Sequence, residues 1–457
     1  MGRFTEWARR AWGSRGLLNL WGELRTIVLP DGMVLVVWRG VGVGSSVTTS
    51  SNAWTKLREV CVALTVITVG PKPPAGRECG FAALGGEGLR RSYLMHTRFF
   101  FLFLGLAAAV GEVPAFYGDK EDLMVYLDGQ GAARPVRTLD DWERRKDDIL
   151  ANMQQVMGEA PDELGKVPLE LEVLAEVDLP KYVRQTITFA VESWDRLPAY
   201  LLIPKGLDGQ VPGIVCPHPT HACGKGVVVG LCGKPHRNYA HELAERGYVT
   251  LAPDYPGFGD YVATRKALYD HGYVSCTMKG IWNHRRAVDL LQSLPMVDGE
   301  RIGCIGHSLG GHNTLYAGAF DRRIKVMVSS CGFNSFSKYK GGDLSGWSHD
   351  GYMPRIAAVY GKDPARMPFD FTEVLGVLAP RYVFVSAPLH DDNFEVSGVR
   401  DCMRAAVPVY GLYGAHGRLI AVHPEAGHDF PDEARERAYA FMDQAFGKQS
   451  VPVRREE

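Results

Sequence analysis

The residues Gly306-His307-Ser308-Leu309-Gly310-Gly311 place a serine hydroxyl between two glycines, two residues away on either side. The apolar run 301–305 before them is typical of a buried strand, and the small apolar run 311–319 after them favours a helix. A serine at such a sharp strand-to-helix turn adopts strained backbone geometry that exposes its hydroxyl oxygen. We therefore predict that Ser308 is a nucleophile, the alternative being a plain glycine-rich turn.

A serine hydroxyl needs a base to take its proton and an acid to orient that base. His428 lies just past the last predicted strand, where the third member of a Ser…Asp…His order falls. His423 is its rival, but it lies at the strand end before Pro424, a stiffer position. The acid lies on the loop after the strand 382–386, where both Asp391 and Asp392 could reach His428.

An oxyanion hole requires two N–H groups directed at the charge that develops on the carbonyl oxygen. One should be the N–H of Leu309, directly after the nucleophile. The other should come from the loop 217–224, where Pro219 has no N–H and leaves Thr220 or His221 as the donor.

Strands and helices that could position these residues alternate along the chain. The sequence predicts strands or strand pairs at 185–191, 197–204, 213–217, 249–253, 301–305, 324–330, 382–386 and 419–422, and helices at 239–246, 277–294 and 431–446. This alternation implies an α/β fold, with a mostly parallel central sheet and helices on both faces. An N-terminal helical arm, with Thr138 as its cap and residues up to Met157 in its helix, should lie on this core.

The serine turn, the Asp391–Phe394 loop and the Gly427–Pro431 loop resemble those of the α/β-hydrolase superfamily, over roughly residues 135–447. More narrowly, they resemble its acetyl xylan esterase and dienelactone hydrolase-like branch. The resemblance favours Asp391 as the acid, because residues 391–399 are similar to the D-x-x-F-P-V-x-G-V stretch of that branch, with Glu395 in place of proline. The other aspartate should then cap the helix that begins near Val396.

The chain departs from the branch where many relatives have His-Gly after the oxyanion strand, because it has His218-Pro219. The segment Phe333–Pro354 either forms part of the pocket wall or is an ordinary surface insertion. For a substrate pocket we name four candidates: His218, His307, Trp347 and Tyr352.

This resemblance implies a serine esterase that forms an acyl-enzyme, with a carboxylic ester, such as an acetylated sugar, as its substrate. A peptidase or amidase could use the same residues, but peptidases of this fold commonly add a propeller domain, and no propeller-like repeat precedes the serine strand. A non-catalytic binding protein with the same fold is the second alternative.

The formal net charge is -1, and the sequence has no basic stripe that would indicate binding of nucleic acid. The nine cysteines show no metal-ligand spacing, and several lie in apolar runs where cysteine serves as a small core residue. We expect neither a metal site nor a cofactor, and the oligomeric state stays open.

Residues 1–94 differ from the rest, because they are rich in Trp, Arg, Gly and Ser and show no sustained period. Residues 95–111 have a basic start, a short apolar run and an A-x-A end, as secretory signal peptides do. We predict that Met95 is the true initiator, that 1–94 is an over-extended start or an unstructured leader, and that the protein is secreted or periplasmic. Otherwise 95–111 is a core helix or a short anchor, and the protein is cytoplasmic.

The remaining boundaries place the helical arm at 112–180, the catalytic domain at 181–447 and a polar tail at 448–457. No stable membrane span is expected in the mature chain, and removal of a signal peptide would leave an odd number of cysteines.

Overall fold

The computed structural model describes residues 21–28, 34–41, 115–162 and 165–448 of the 457-residue chain. The chain divides into two compact units, Met1–Leu104 and Gly105–Glu457. In the first unit, strands β1 (Trp21–Val28) and β2 (Val34–Val41) pair antiparallel. Their β-branched residues favour extended chain. The signal-like segment 95–111, the rest of 1–94 and the tail beyond 448 lie outside the described residues.

The second unit is built on a nine-stranded sheet. Its strands are β5 (Glu172–Asp178), β6 (Tyr182–Glu192), β7 (Asp195–Pro204), β8 (Val211–Val215), β9 (Val249–Pro253), β10 (Val297–His307), β11 (Ile324–Ser330), β12 (Tyr382–Ser386) and β13 (Leu419–Val422). The order across the sheet is β13-β12-β11-β10-β8-β9-β7-β6-β5. The pairs from β13 to β9 are parallel, and β7, β6 and β5 add antiparallel pairs at one edge. The predicted mostly parallel sheet is therefore confirmed.

Nine helices of the α type are described in this unit. They are α1 (Leu139–Met157), α2 (Tyr239–Glu245), α3 (Thr264–Asp270), α4 (Cys276–Ser293), α5 (Leu309–Phe320), α6 (Arg355–Ala358), α7 (Phe371–Val377), α8 (Val396–Leu412) and α9 (Asp432–Ala445). A short hairpin of β3 (Val125–Leu127) and β4 (Ala133–Pro135) precedes α1.

The helices cover both faces of the sheet, because successive strand residues point to opposite sides. In β11, Met327 belongs to the core cluster that contains residues of α4 and α5, whereas Val326 and Val328 belong to the cluster that contains residues of α2 and α9. The two apolar layers hold the sheet between its helices. Because β8, β10, β11, β12 and β13 are parallel, their carboxyl ends meet at one edge of the sheet.

The predicted arm forms α1, where Thr138 and Asp141 complete a capping box. Its inner face buries Trp142, Ile149 and Met153 in the core. The predicted boundary at 180 is wrong, since β5 already pairs with β6 from residue 172. All seven residues of β5 are exposed at the sheet edge, so the strand carries no alternation of apolar and polar residues that would reveal it. Among the described residues, no helix is long and apolar enough to cross a membrane.

Candidate active site

Ser308 lies at the turn between β10 and α5, with φ 56° and ψ -118°. Positive φ is strained for a residue with a side chain. The strain is held by close backbone packing, because a Cβ on Gly306 would overlap the Gly310 carbonyl, and one on Gly310 would overlap the carbonyl of Pro217. The Ser308 N–H donates to the Ser330 carbonyl at 2.8 Å. We call residues 306–311 the elbow.

His428 lies on the loop between β13 and α9, and its Nε2 is 2.9 Å from the Ser308 hydroxyl oxygen. Its Nδ1 lies 3.0 Å from both carboxylate oxygens of Asp391. Because a carboxylate accepts, Nδ1 carries the proton and Nε2 presents its lone pair to Ser308. The histidine side chain is 23% exposed and that of Asp391 only 1%, so substrate can reach the serine and the histidine while the acid stays covered.

Asp391 is held in its ionised form. Burial raises the pKa of this carboxyl. The interaction with His428 and the N–H groups of Phe394 and Asn393 lower the pKa by more than burial raises it, so it lies below its ordinary value. Those two N–H groups donate at 3.0 and 2.9 Å. A charged, fixed carboxylate is suited to orient a histidine base.

The structure also distinguishes the rival residues. Asp392 is exposed, and the helix cap expected from it is instead supplied by Glu395, whose carboxylate accepts the Ser397 N–H. That expectation is wrong because the turn places Glu395, and not Asp392, directly before α8. The Nδ1 of His423 is 2.9 Å from the Ala387 carbonyl.

Arg237 links the segment after Cys232 to the loop between β13 and α9 that carries His428, which we call the base loop. Its Nη2 donates to the carbonyl of His428 at 3.2 Å, and its guanidinium lies 3.8 Å from the Asp429 carboxylate. No sequence motif pointed to this residue. It comes from the segment after Cys232, which a disulfide joins to Cys223.

Of the predicted oxyanion donors, Leu309 and Thr220 line the same cavity as Ser308. Leu309 is the first residue of α5, so its N–H has no acceptor one turn earlier in the helix. His221 is exposed and absent from the cavity lining, and its Nδ1 accepts the N–H of Cys223. Because Thr220 lines the cavity and His221 does not, Thr220 stays the candidate for the second donor.

Two predicted pocket residues do not line the cavity, and these predictions are wrong. His218 is 1% exposed, and both of its ring nitrogens are used inside the protein. Its Nδ1 donates to the Pro219 carbonyl at 2.7 Å, and its Nε2 accepts the Tyr255 N–H at 2.9 Å. It therefore joins the ends of β8 and β9. His307 is buried beneath His428, with ring centroids 5.0 Å apart. Burial lowers the pKa of His307 well below 6.5, so it stays neutral next to the base.

The cavity at Ser308 has a volume of about 360 Å3. Trp347 and Tyr352 line it as predicted, so the segment Phe333–Pro354 contributes to its wall. Several further residues line the cavity, and no sequence motif indicates them as pocket residues: Phe258, Arg265, His312, Tyr339, His349, Asn393 and Phe394. His312 could have been found, because a residue four positions after Ser308 lies on the same face of α5.

Among the residues that the structure describes, two groups of side chains have the composition of metal ligands. One consists of His221 with Cys223 and Cys232, whose sulfurs form the disulfide and so cannot bind as thiolates. The other consists of Cys331 with Asp391 and His428. There Asp391 and His428 bond each other, and the Cys331 thiol donates to the Asp429 carbonyl at 3.3 Å.

The chain is similar to proteins that are named as hydrolases or esterases. A family model for the glucuronyl esterases of fungi matches residues 266–414, less than half of the chain. A Bacillus subtilis protein named as a hydrolase, YtaP, is 27% identical over 312 residues, which cover 66% of this chain and 98% of that protein. The 4-O-methyl-glucuronoyl methylesterase of Hypocrea jecorina is 25% identical over 183 residues, covering 35% of this chain and 38% of that enzyme.

Among solved structures, a glucuronoyl esterase from Solibacter usitatus superposes with a TM-score of 0.57 at 19% identity. It covers 72% of this chain and 97% of that one. The fold is that of the α/β-hydrolase superfamily, as the sequence motifs predicted. Within that superfamily, the family match and the serine at the elbow define the chain as a serine ester hydrolase, and the prediction of that enzyme class is confirmed.

Proposed function

We propose that the protein hydrolyses a carboxylic ester of a carbohydrate, with Ser308 as nucleophile, His428 as general base and Asp391 as the orienting acid. The observation that carries this proposal is the unbroken chain of contacts from the Ser308 hydroxyl through His428 to Asp391, at 2.9 and 3.0 Å. This chain opens into an aromatic cavity of about 360 Å3.

In the first half-reaction, Ser308 Oγ forms a bond to the ester carbonyl carbon while its proton moves to Nε2 of His428. The carbonyl oxygen takes up negative charge, which the N–H groups of Leu309 and Thr220 stabilise. The tetrahedral intermediate then breaks its bond to the alcohol oxygen, and His428 gives its proton to that oxygen. An acyl-enzyme remains, and the alcohol leaves.

In the second half-reaction, a water molecule replaces the alcohol. His428 takes a proton from this water while the water oxygen bonds to the acyl carbon. When the acyl–serine bond breaks, His428 returns a proton to Ser308 Oγ. The carboxylic acid is released. Asp391 stays ionised throughout, because its role is to stabilise the imidazolium and fix the ring.

The carbohydrate part of the proposal has two supports. Trp347, Tyr352, Tyr339 and Phe394 give the cavity flat apolar surfaces on which the C–H faces of a sugar ring can pack. The proteins that this chain resembles include enzymes named as glucuronyl and glucuronoyl esterases. An acetylated sugar and the ester of a sugar acid both fit this description.

Export of the enzyme belongs to the same proposal. The disulfide Cys223–Cys232 is typical of oxidising compartments, and the segment 95–111 has the pattern of a signal peptide. N-terminal sequencing of the native protein tests this, and a mature chain that begins well before residue 100 would contradict it.

A fluorophosphonate probe tests the nucleophile directly. We expect the wild type to be labelled and to cleave p-nitrophenyl acetate, and the Ser308→Ala variant to lose both. A matched control is Ser345→Ala, since Ser345 is exposed and outside the cavity lining. Labelling that survives in Ser308→Ala, or its absence in the wild type, would refute the assignment.

A further inference from the structure

A cavity of about 510 Å3 is separate from the one at Ser308. Within the described residues, the two cavities share no lining residue. They are neighbours in the sequence, because Ser335 and Ser337 line the second cavity and belong to the segment Phe333–Pro354, which lines the first. Lys120 also lines the second cavity, which we call the lysine cavity. Since no residue of the proposed mechanism lines it, this cavity has no assigned role.

Lys120 is buried in this cavity without a partner. The residue is 9% exposed, yet no hydrogen bond or ion pair of the described residues involves its ammonium group. The Nζ atom is not one of the fully buried atoms that lack a partner, so it is accessible from the cavity that Lys120 lines. Burial lowers the pKa of Lys120 below its ordinary value, and the charges of Glu373 and Asp370 oppose this only in part. Oxygen atoms of a ligand in the cavity would supply the missing acceptors.

The charges around the lysine cavity limit the kind of ligand. Besides Lys120, four acidic residues line it: Asp119, Glu121, Asp363 and Asp370. They would repel an anion, and the ammonium group would repel a metal cation. Burial raises the pKa of Asp370 to about 7, so near neutral pH its carboxyl group both accepts and donates hydrogen bonds. Hydroxyl groups, which also do both, are therefore suitable partners.

An apolar surface and further hydroxyl groups complete the site. Pro364 lines the cavity, and the half-exposed ring of Phe116 has its centre 4.8 Å from Lys120 Nζ. The hydroxyl oxygens of Ser335 and Ser337 lie 3.5 Å apart, and either can donate or accept. A few polar groups among apolar surfaces are usual for small-ligand sites. A sugar ring, which has apolar C–H faces and hydroxyl groups along its edge, matches this composition.

We propose that the lysine cavity binds a sugar residue, at a site separate from the one where the ester is cleaved. One hydroxyl group of the sugar accepts from the ammonium group of Lys120, and another forms a hydrogen bond with the carboxyl group of Asp370. The inference goes beyond the proposed hydrolysis, because no catalytic residue takes part and the sugar is bound without being cleaved.

Binding of neutral trisaccharides tests this inference. Xylotriose and cellotriose are titrated by isothermal titration calorimetry into the full chain, before and after modification of Ser308 with a bulky fluorophosphonate that occupies the active-site cavity. We expect at least one of them to bind the modified protein, with a dissociation constant of about 1 mM or below. Sodium sulfate and glycine, titrated in the same way, represent an anion and a zwitterion and should not bind.

The variant Lys120→Met keeps the length of the side chain and removes its ammonium group. It should weaken binding of the trisaccharide by about tenfold or more, because a hydrogen bond to a charged group is lost. It should leave kcat for p-nitrophenyl acetate within about twofold of the wild type. The matched control is Lys338→Met, because Lys338 is exposed, pairs with Asp401 at 2.5 Å and lies outside the cavity lining. This control should bind within about twofold of the wild type.

Absence of trisaccharide binding to the modified wild type would overturn the inference, and so would unchanged binding in Lys120→Met. Binding of sulfate or glycine in place of the trisaccharides would overturn it too. Failure of the proposed function is a separate outcome. If the wild type does not react with fluorophosphonate, the nucleophile is refuted, and the effect of Lys120→Met on binding to the unmodified chain still decides this inference.

Circular dichroism shows whether Lys120→Met is folded. If it is not, Ser337→Ala decides, since it removes an exposed hydroxyl group from the same cavity. Loss of this hydroxyl group should weaken trisaccharide binding by about threefold. Unchanged binding in that variant would overturn the inference.

Discussion

The elbow and the wall segment Phe333–Pro354 border the same cavity but are built in opposite ways. The elbow joins a strand to a helix, and backbone atoms in close contact hold its geometry. The wall segment has only short 3-10 turns, Tyr339–Gly342 and Leu344–Trp347, and is held by contacts among its aromatic rings. Backbone contacts leave few alternatives, whereas side-chain contacts can be exchanged for others of similar volume.

The elbow and the wall segment therefore have different roles in the site. The elbow and the loops that meet it carry the groups for bond making and breaking, which every ester requires in the same place. The wall carries groups that meet only the remainder of the substrate. Variants on the elbow side should therefore affect all esters alike, and variants in the wall should change the ranking among esters.

The largest effect is expected from Asp391→Asn, which removes the charge but keeps the shape. We expect kcat for p-nitrophenyl acetate and for the sugar esters to fall by the same factor, on the order of 10^4, because an amide no longer fixes the histidine tautomer. Steady-state kinetics on both classes of ester measure this.

The neighbouring variant Asp392→Asn is the control, since Asp392 is exposed and has the same chemistry. It should change kcat by less than about twofold. If the two variants behaved alike, or if Asp391→Asn affected only one class of ester, the division between the elbow and the wall would fail.

A smaller effect is expected from Arg237→Gln. Without the guanidinium, the His428 carbonyl and the Asp429 carboxylate lose the contacts that tie the base loop to its neighbour. We expect kcat to fall by about tenfold for every ester, with little change in KM, because the base is less well positioned while the wall is untouched. The comparison is with Lys234→Gln, whose exposed ammonium lies 3.7 Å from the same Asp429 carboxylate. Equal losses in both variants would assign the effect to net charge.

The smallest expected effect is on stability. Because the folded-state pKa of Asp391 lies below its ordinary value, the ionised carboxylate stabilises the fold above the unfolded-state pKa of about 4. This contribution is lost as the pH falls through the lower folded-state pKa. We therefore expect the difference in free energy of unfolding between the wild type and Asp391→Asn to shrink between pH 5 and pH 3. Urea denaturation at both pH values measures it, and a difference that grows toward pH 3 would contradict the assigned direction.

Much of the fold and the central residues of the site could be predicted from the sequence. The strands of the parallel sheet have continuous apolar runs, and the elbow has a glycine spacing that follows from backbone contact. Asp391 and His428 could be located because each lies on a loop directly after a strand whose end faces the elbow.

Other residues left no readable signal. Cys223 and Cys232 are nine residues apart in an irregular loop, so nothing in the spacing suggested their pairing. Arg237 acts through a backbone carbonyl 191 residues further along the chain, a contact that only the tertiary fold creates. The prediction that His218 and His307 line the pocket is wrong although both are close in sequence to site residues. In the fold, both side chains are buried inside the protein.

The glycine packing of the elbow also limits how this enzyme can diverge. At Gly306 and Gly310 even one added methyl group would meet main-chain atoms, and backbone cannot be repacked as a side chain can. Mutational tolerance within the site is therefore unequal over a few ångströms. Descendants of this chain can acquire new substrates by exchanging aromatic residues of the wall, while the elbow must be inherited almost unchanged.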